Sequence, residues 1–337
     1  MISVIMSNYN TSEKYLRESI ESILKQSFTD FEFIIIDDCS TNNNKSILKN
    51  FNDDRVKIIF NEKNLGLAAS LNKALQIAKG EFVARMDSDD ISLETRLEKQ
   101  YKYLKSNPSV GLVASFAKKI GNDKGYIYSI LEEPEKMNVP MFFGNVICHP
   151  SVMFRREAII SNRLKYNEEF KTGQDYELWS RLLKKEKVAI IPEVLLSYRI
   201  HNNQISNEKK MDQIQNTMKV YSYMLEGLGL EVNQEILKKH HAFCTSSELD
   251  TFTLKEMIYW GDFIKKQNFK NKTYDVELFN QYVDFTIFKR NIRILLNKHK
   301  FSSYILKYLM KKSVLRMGYK HVKSLLHIKL KSTLTKI

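Results

Sequence analysis

At 337 residues the chain is long enough for one large domain and a smaller one. Its composition, 43% hydrophobic and 11% aromatic with 11 Gly and 5 Pro, excludes a disordered, linker-rich or fibrous protein. The net charge of +14 is unevenly spread: residues 285–337 hold fourteen Lys and Arg and no Asp or Glu, leaving 39 basic and 39 acidic residues in a neutral remainder.

Ile2–Met6 predicts a strand, and Tyr15–Gln26 a helix with Leu16, Ile20, Ile23 and Leu24 on one face. Phe31–Ile36 is a near-continuous apolar run, as expected of a parallel strand buried on both faces. Val56–Phe60 predicts a third strand, Leu67–Ala78 a helix, Phe82–Met86 a fourth strand, and Leu93–Lys105 a helix stopped by Asn107-Pro108. Short strands follow near Gly111–Ala117, Tyr126–Ile130 and Ser151–Phe154, then a helix over Asp175–Lys185 and short runs at Val188–Ile191 and Leu195–Tyr198. Beyond about Asn207 the pattern is helical. This alternation predicts an α/β protein with a mostly parallel sheet flanked by helices, followed by an α-helical C-terminal region. The body is placed at 1–208, with a nucleotide half over about 1–110 and an acceptor half over about 111–208. The helical region is 209–337.

Three scattered cysteines show neither a disulfide framework nor a paired metal spacing, which points to a reducing cytoplasm. No basic leader precedes the first strand, and no apolar run approaches the roughly 18–20 residues of a spanning helix.

Ligands of open α/β sheets bind beyond the carboxyl ends of the strands. Strand one runs into Ser7-Asn8-Tyr9-Asn10, strand two into Asp37-Asp38-Cys39-Ser40, and strand four into Asp87-Ser88-Asp89-Asp90. Five carboxylates thus converge on one sheet edge and would repel one another without a cation or donors. Mg²⁺ or Mn²⁺ suits such oxygen ligands, together with substrate phosphates. The chain has no Walker A loop, no dinucleotide glycine fingerprint and no zinc pattern.

These stretches, with Asn64-Leu65-Gly66, His149-Pro150-Ser151 through Arg156, Gln174-Asp175-Tyr176-Glu177-Leu178-Trp179 and Tyr198-Arg199-Ile200-His201, resemble the family 2 glycosyltransferases, inverting enzymes of GT-A fold. The resemblance spans about residues 1–205. It implies that Ser7 and Tyr9 line the nucleotide pocket, that Asp38 reads the uracil edge with Asp37 supporting it, and that Asp87 and Ser88 serve the ribose and diphosphate. It implies Asp89 as metal ligand, His201 as a second one, Asp175 as general base, and Gln174 and Trp179 on the acceptor side. Gln174 replaces a more usual Glu, so the base role rests on Asp175 alone. The Gln-x-x-Arg-Trp pattern of processive members is absent, so the enzyme is read as adding one sugar or a few. The donor is then a UDP-sugar and the acceptor a lipid-linked or surface-polysaccharide glycan, made in the bacterial cytoplasm at the inner face of the membrane.

Local readings compete with some of these roles. Asp175 stands where a helix starts and is also placed to cap it; Trp179 is also suited to the core, His149 to a turn, and His201 to a polar surface. A nucleotidyltransferase and a non-catalytic nucleotide-sugar scaffold stand as alternatives. In the tail, Phe301, Tyr304, Ile305, Tyr308 and Leu309 form a helical stripe that Leu315, Val322, Leu325 and Leu326 continue. A basic amphipathic helix is read first as an element for an anionic membrane surface, with a subdomain packed on the body or in a homo-oligomer as the alternative. No nucleic-acid recognition motif accompanies the charge.

Overall fold

The computed structural model describes residues 1–129, 131–202, 210–245, 253–298, 311 and 314–321. The chain runs through β1 (Ile2–Asn8), α1 (Glu13–Leu24), β2 (Phe31–Asp37), α2 (Asn44–Lys49), β3 (Val56–Phe60), α3 (Leu67–Ile77), β4 (Phe82–Asp87), β5 (Ile91–Ser92), α4 (Arg96–Ser106), β6 (Val110–Gly121) and β7 (Gly125–Ile127). Then come α5 (Asn138–Phe143), β8 (Met153–Arg155), α6 (Arg156–Ile160), α7 (Gln174–Leu182) and β9 (Lys187–Ile200). The C-terminal region contributes α8 (Lys210–Gly227), α9 (Gln234–Cys244), α10 (Leu254–Asn271) and α11 (Val276–Lys298). No helix among the described residues is long and apolar enough to cross a membrane.

The strands form one sheet in the order β3-β2-β1-β4-β8-β6-β9-β5, with β7 against β6. The strands β1 to β4 are mutually parallel where they pair, β8 runs antiparallel to both β4 and β6, and β6 and β9 are parallel. After β3 the chain crosses back to the other side of β1, which creates a switch point where the neighbouring loops part. Register then decides what meets there. Asn8 pairs with Asp37 and Ser7 with Asp87, so three polar strand ends lie side by side.

Burial on both faces explains the unbroken apolar runs. In β2, Phe33 and Ile35 enter a core beneath α1, where Leu16, Ile20 and Ile23 close it. Ile34 and Ile36 enter the opposite core, which is continuous with Leu71 and Ala74 of α3, Tyr221 of α8, Trp260 of α10 and Phe279 of α11. Each such side chain contributes about 1.5–3 kcal/mol on leaving water. The C-terminal helices therefore complete the hydrophobic core of the sheet. Gly80, entering β4, lies so close to β1 that a Cβ there would sit 2.4 Å from the Ser3 backbone nitrogen.

The two runs expected at Val188–Ile191 and Leu195–Tyr198 are one strand, β9. Ser115 pairs with Ile191 and Phe116 with Val194, so Pro192 and Glu193 are bulged out. Proline has no N–H for the ladder, and a bulge accommodates it without ending the strand. The strand expected over Tyr126–Ile130 is shorter, Gly125–Ile127, and Ile130 lies outside the described residues.

The predicted tail stripe at 301–309, with Val322, Leu325 and Leu326, also lies outside the described residues. Residues 314–321 are helical and packed: Val314 and Met317 are buried in the core, while Lys311 pairs with Asp284, Arg316 with Glu277 and Lys320 with Glu132. Burial raises the Glu132 carboxyl above its ordinary value, against the pull of Lys320. This part of the basic stretch is docked on the body, while Leu315 and Tyr319 stay exposed.

Candidate active site

Asn8 ends β1, fully buried, and its Nδ2 donates to Asp37 Oδ1 at 2.7 Å. The same carboxylate accepts from the Ser40 hydroxyl and backbone N–H at 2.7 and 3.1 Å. Asp37 thus fixes the turn after β2. Asp38, 2% exposed, accepts from Asn61 Nδ2 and Leu65 N through Oδ1 and from Gly66 N through Oδ2, each at 2.8 Å. Its carboxylate ties the start of α3 to the end of β2. A carboxylate offers about four acceptor positions, so one on Oδ2 stays available. Ser7 is half-buried nearby, and Tyr9 is 49% exposed.

Asp87 ends β4 half-buried, bound through both oxygens by the buried guanidinium of Arg85. Burial raises the Asp87 carboxyl to about 6, Arg85 opposes that, and the charges of Asp89 and Asp175 add to it. Ser88 lies 2.6 Å from the Thr11 hydroxyl, which pins the turn to the loop after β1. Asp89 Oδ2 meets His201 Nε2 at 2.8 Å. Asp90 is fully buried; Oδ1 accepts from Arg199 N at 2.8 Å and Oδ2 has no protein partner. Burial pushes the Asp90 carboxyl well above its ordinary range, with Asp87 and Asp89 contributing. Arg199 also donates to Asp89 O at 2.6 Å and to Glu18 at 2.6 Å, and stacks over Tyr15. The end of β9 therefore holds the turn after β4 in place.

Oxygens of Asp87, Asp89 and Asp90 lie within 4.8 Å of one another. Three crowded carboxylates, one with an orphaned buried oxygen, and an adjacent imidazole fit a hard divalent cation such as Mg²⁺ or Mn²⁺.

Asp175 is the second residue of α7, after Gly173 in the left-handed conformation at φ 68°, so Gly173 and not Asp175 stands at the N-cap. Burial raises the Asp175 carboxyl above its ordinary value. Oδ2 accepts from Asn145 Nδ2 at 2.7 Å. Gln174 is buried with Oε1 unpartnered. Trp179 corrects an expectation: it has 0% exposure and meets His149 edge-on, so it shows no ring face to an acceptor and supports that side as core. His149 opens a short 3₁₀ turn, buried, and bonds the Tyr166 hydroxyl at 2.8 Å.

Sequence reasoning missed Arg85, Asn145, Arg199 and the structural roles of Asn8 and Asp90. Arg85 left a signal: a lone cation in an apolar strand, two residues before Asp87 and hence on the same face. Asn145 left none, since nothing local links it to a helix 30 residues on.

A family model described as Glycosyl transferase family 2 matches residues 3–163. An uncharacterized glycosyltransferase of Methanocaldococcus jannaschii is 41% identical over 233 residues, covering 66% of this chain and 77% of the relative. The chain belongs to glycosyltransferase family 2. As a member of that family it is a glycosyltransferase, and the nucleotidyltransferase and scaffold alternatives fall away. The O-antigen biosynthesis glycosyltransferase WbnJ of Escherichia coli is 40% identical over 212 residues, covering 60% of this chain and 80% of its own. Among solved structures, residues 1–349 of Staphylococcus aureus TarS in complex with UDP-GlcNAc superpose with a TM-score of 0.61 at 19% identity, covering 89% of this chain and 92% of that one. That likeness carries the GT-A fold.

Proposed function

We propose that this family 2 glycosyltransferase is an inverting, non-processive enzyme that moves a sugar from a UDP-sugar to a hydroxyl of a lipid-linked or surface-polysaccharide glycan. One observation carries the reading: beyond the end of β4 the carboxylates of Asp87, Asp89 and Asp90 gather within 4.8 Å of one another, with His201 Nε2 2.8 Å from Asp89. The relatives' names support a surface glycan as acceptor, and the TarS complex supports UDP.

In this mechanism Tyr9 stacks on the base, the open position on Asp38 Oδ2 receives the uracil N3–H, and Ser7, Asp37, Asp87 and Ser88 shape the ribose and diphosphate pocket. Asp175 accepts the proton of the acceptor hydroxyl as its oxygen bonds to the anomeric carbon from the face opposite the phosphate. The anomeric carbon–oxygen bond breaks in the same step, UDP leaves and the configuration inverts. Asp89 and His201 would hold Mg²⁺ or Mn²⁺, which supplies charge neutralisation for the departing diphosphate.

The test is a panel of nucleotide sugars with Mn²⁺ or Mg²⁺, read as nucleotide release. UDP-sugars should be selected, and Asp89→Ala should lower turnover about a hundredfold or more. Mn²⁺ should raise the melting temperature of the wild type and not of Asp89→Ala. Equal turnover in the two proteins would remove Asp89 from the metal site.

The basic C-terminal stretch is assigned here to the anionic inner face of the bacterial membrane. Exposed Leu315 and Tyr319 and the tail's excess of cations support this. The full chain should float with phosphatidylglycerol vesicles and not with phosphatidylcholine vesicles. A chain that stays at the bottom of the gradient with both would defeat the assignment.

A further inference from the structure

The carboxylate on which the proposed transfer depends is held from outside its own helix. Asn145 lies on the segment between α5 and β8, next to Gly144, whose φ of 154° lets the chain leave α5 sharply. Its Nδ2 donates to Asp175 Oδ2 at 2.7 Å, while its Oδ1 accepts from Ile147 N at 3.1 Å. The second bond orients the first. A flipped amide would set its NH₂ against the Ile147 N–H and its oxygen against a carboxylate, losing both bonds. On the other flank, Asn216 of α8 donates to Thr172 O at 2.9 Å, just before the left-handed turn at Gly173. The backbone entering α7 is therefore anchored to α8 and the Asp175 side chain to Asn145.

We infer that Asn145 is a positioning residue for sugar transfer: its oriented amide holds one oxygen of Asp175, fixes the carboxylate in one rotamer and leaves Oδ1 to take the acceptor proton. This rests on the reading of Asp175 as the base. A donor facing a carboxylate favours the ionised form, so Asn145 acts together with the Tyr176 N–H and the charge of Arg85 to keep Asp175 ionised where burial works against charge. The competing role, a cap that shapes the 144–148 loop, uses only the bond to Ile147.

Two substitutions separate the roles. Asn145→Ser keeps an oxygen for Ile147 N but is too short to reach Asp175. Asn145→Asp keeps size and cap and turns the donor into a like charge. Carboxyl ¹³C NMR on the protein without donor, with Asp175→Asn identifying the signal, should show the Asp175 midpoint rising by about one pH unit in Asn145→Ser and further in Asn145→Asp. Transfer from the UDP-sugar that the wild type turns over fastest should lose about tenfold in kcat, with an unchanged KM for the donor. An unmoved midpoint overturns the inference, and so does a shifted midpoint with wild-type kcat. Full transfer by Asp175→Asn would instead overturn the base assignment, whatever the Asn145 variants do.

Discussion

Asp175→Asn should bind the UDP-sugar as the wild type does and lose transfer by about 10²- to 10⁴-fold, the range for removing a positioned general base. The amide keeps the size and the bond from Asn145 through its oxygen, so the fold and the donor pocket are untouched. What disappears is the proton acceptor. The wild-type rate should also fall on acidification, because Asp175 must be ionised to act. Burial raises that carboxyl above its ordinary value, so the loss begins at a higher pH than for a surface aspartate and is complete below the raised pKa. Donor affinity by calorimetry, with kcat against pH for both proteins, checks this. Undiminished transfer by Asp175→Asn would place the base elsewhere.

Arg85→Met should cost about 3–5 kcal/mol in stability, the range for stripping the partner from a buried ion pair. The guanidinium is 2% exposed and binds Asp87 through both oxygens, while Asp87 is 27% exposed. That exposure places the expected loss toward the lower end, since water reaches the orphaned carboxylate. The mechanism predicts rescue. Adding Asp87→Asn to Arg85→Met removes the uncompensated charge, and urea denaturation of the single and double variants should show the stability returning. Failure of the double variant to recover would mean that Arg85 contributes through its packing and not through its charge.

The two predictions touch residues of different visibility. Asp175 was legible because it sits in a contiguous motif, Gln174-Asp175-Tyr176-Glu177-Leu178-Trp179, and its helix starts within a residue of where the pattern placed it. The strands β1, β2 and β4 were equally legible: a strand buried on both faces needs an apolar run, and its end shows as the first polar residues after that run. Arg85 was hidden inside such a run. Its partner is two residues away, but only burial makes the pair matter, and that burial exists only once the core holding Val83, on the same face of β4, has assembled.

Asp38 and Trp179 show what only the surroundings add to a residue type read from the sequence. Asp38 was expected to face the uracil, and three of its acceptor positions are occupied by Asn61, Leu65 and Gly66. Trp179 faces the core along with Leu178 and Leu182. β9 read as two fragments because a central proline ordinarily ends a strand, and only a partner strand able to skip residues keeps it whole.

The amino-acid sequence by itself determined the α/β class, the order of the first four strands and the acidic turns that end them, because periodicity and strand ends are local properties. Tertiary structure decided which of those acids face one another, that Asn145 holds Asp175, and that the C-terminal helices close the core behind it. Those outcomes depend on contacts between residues 30 to more than 100 positions apart, such as Asn145 with Asp175 and Arg199 with Asp90. Such contacts leave no periodic trace in the chain, since their geometry exists only once the sheet register is set.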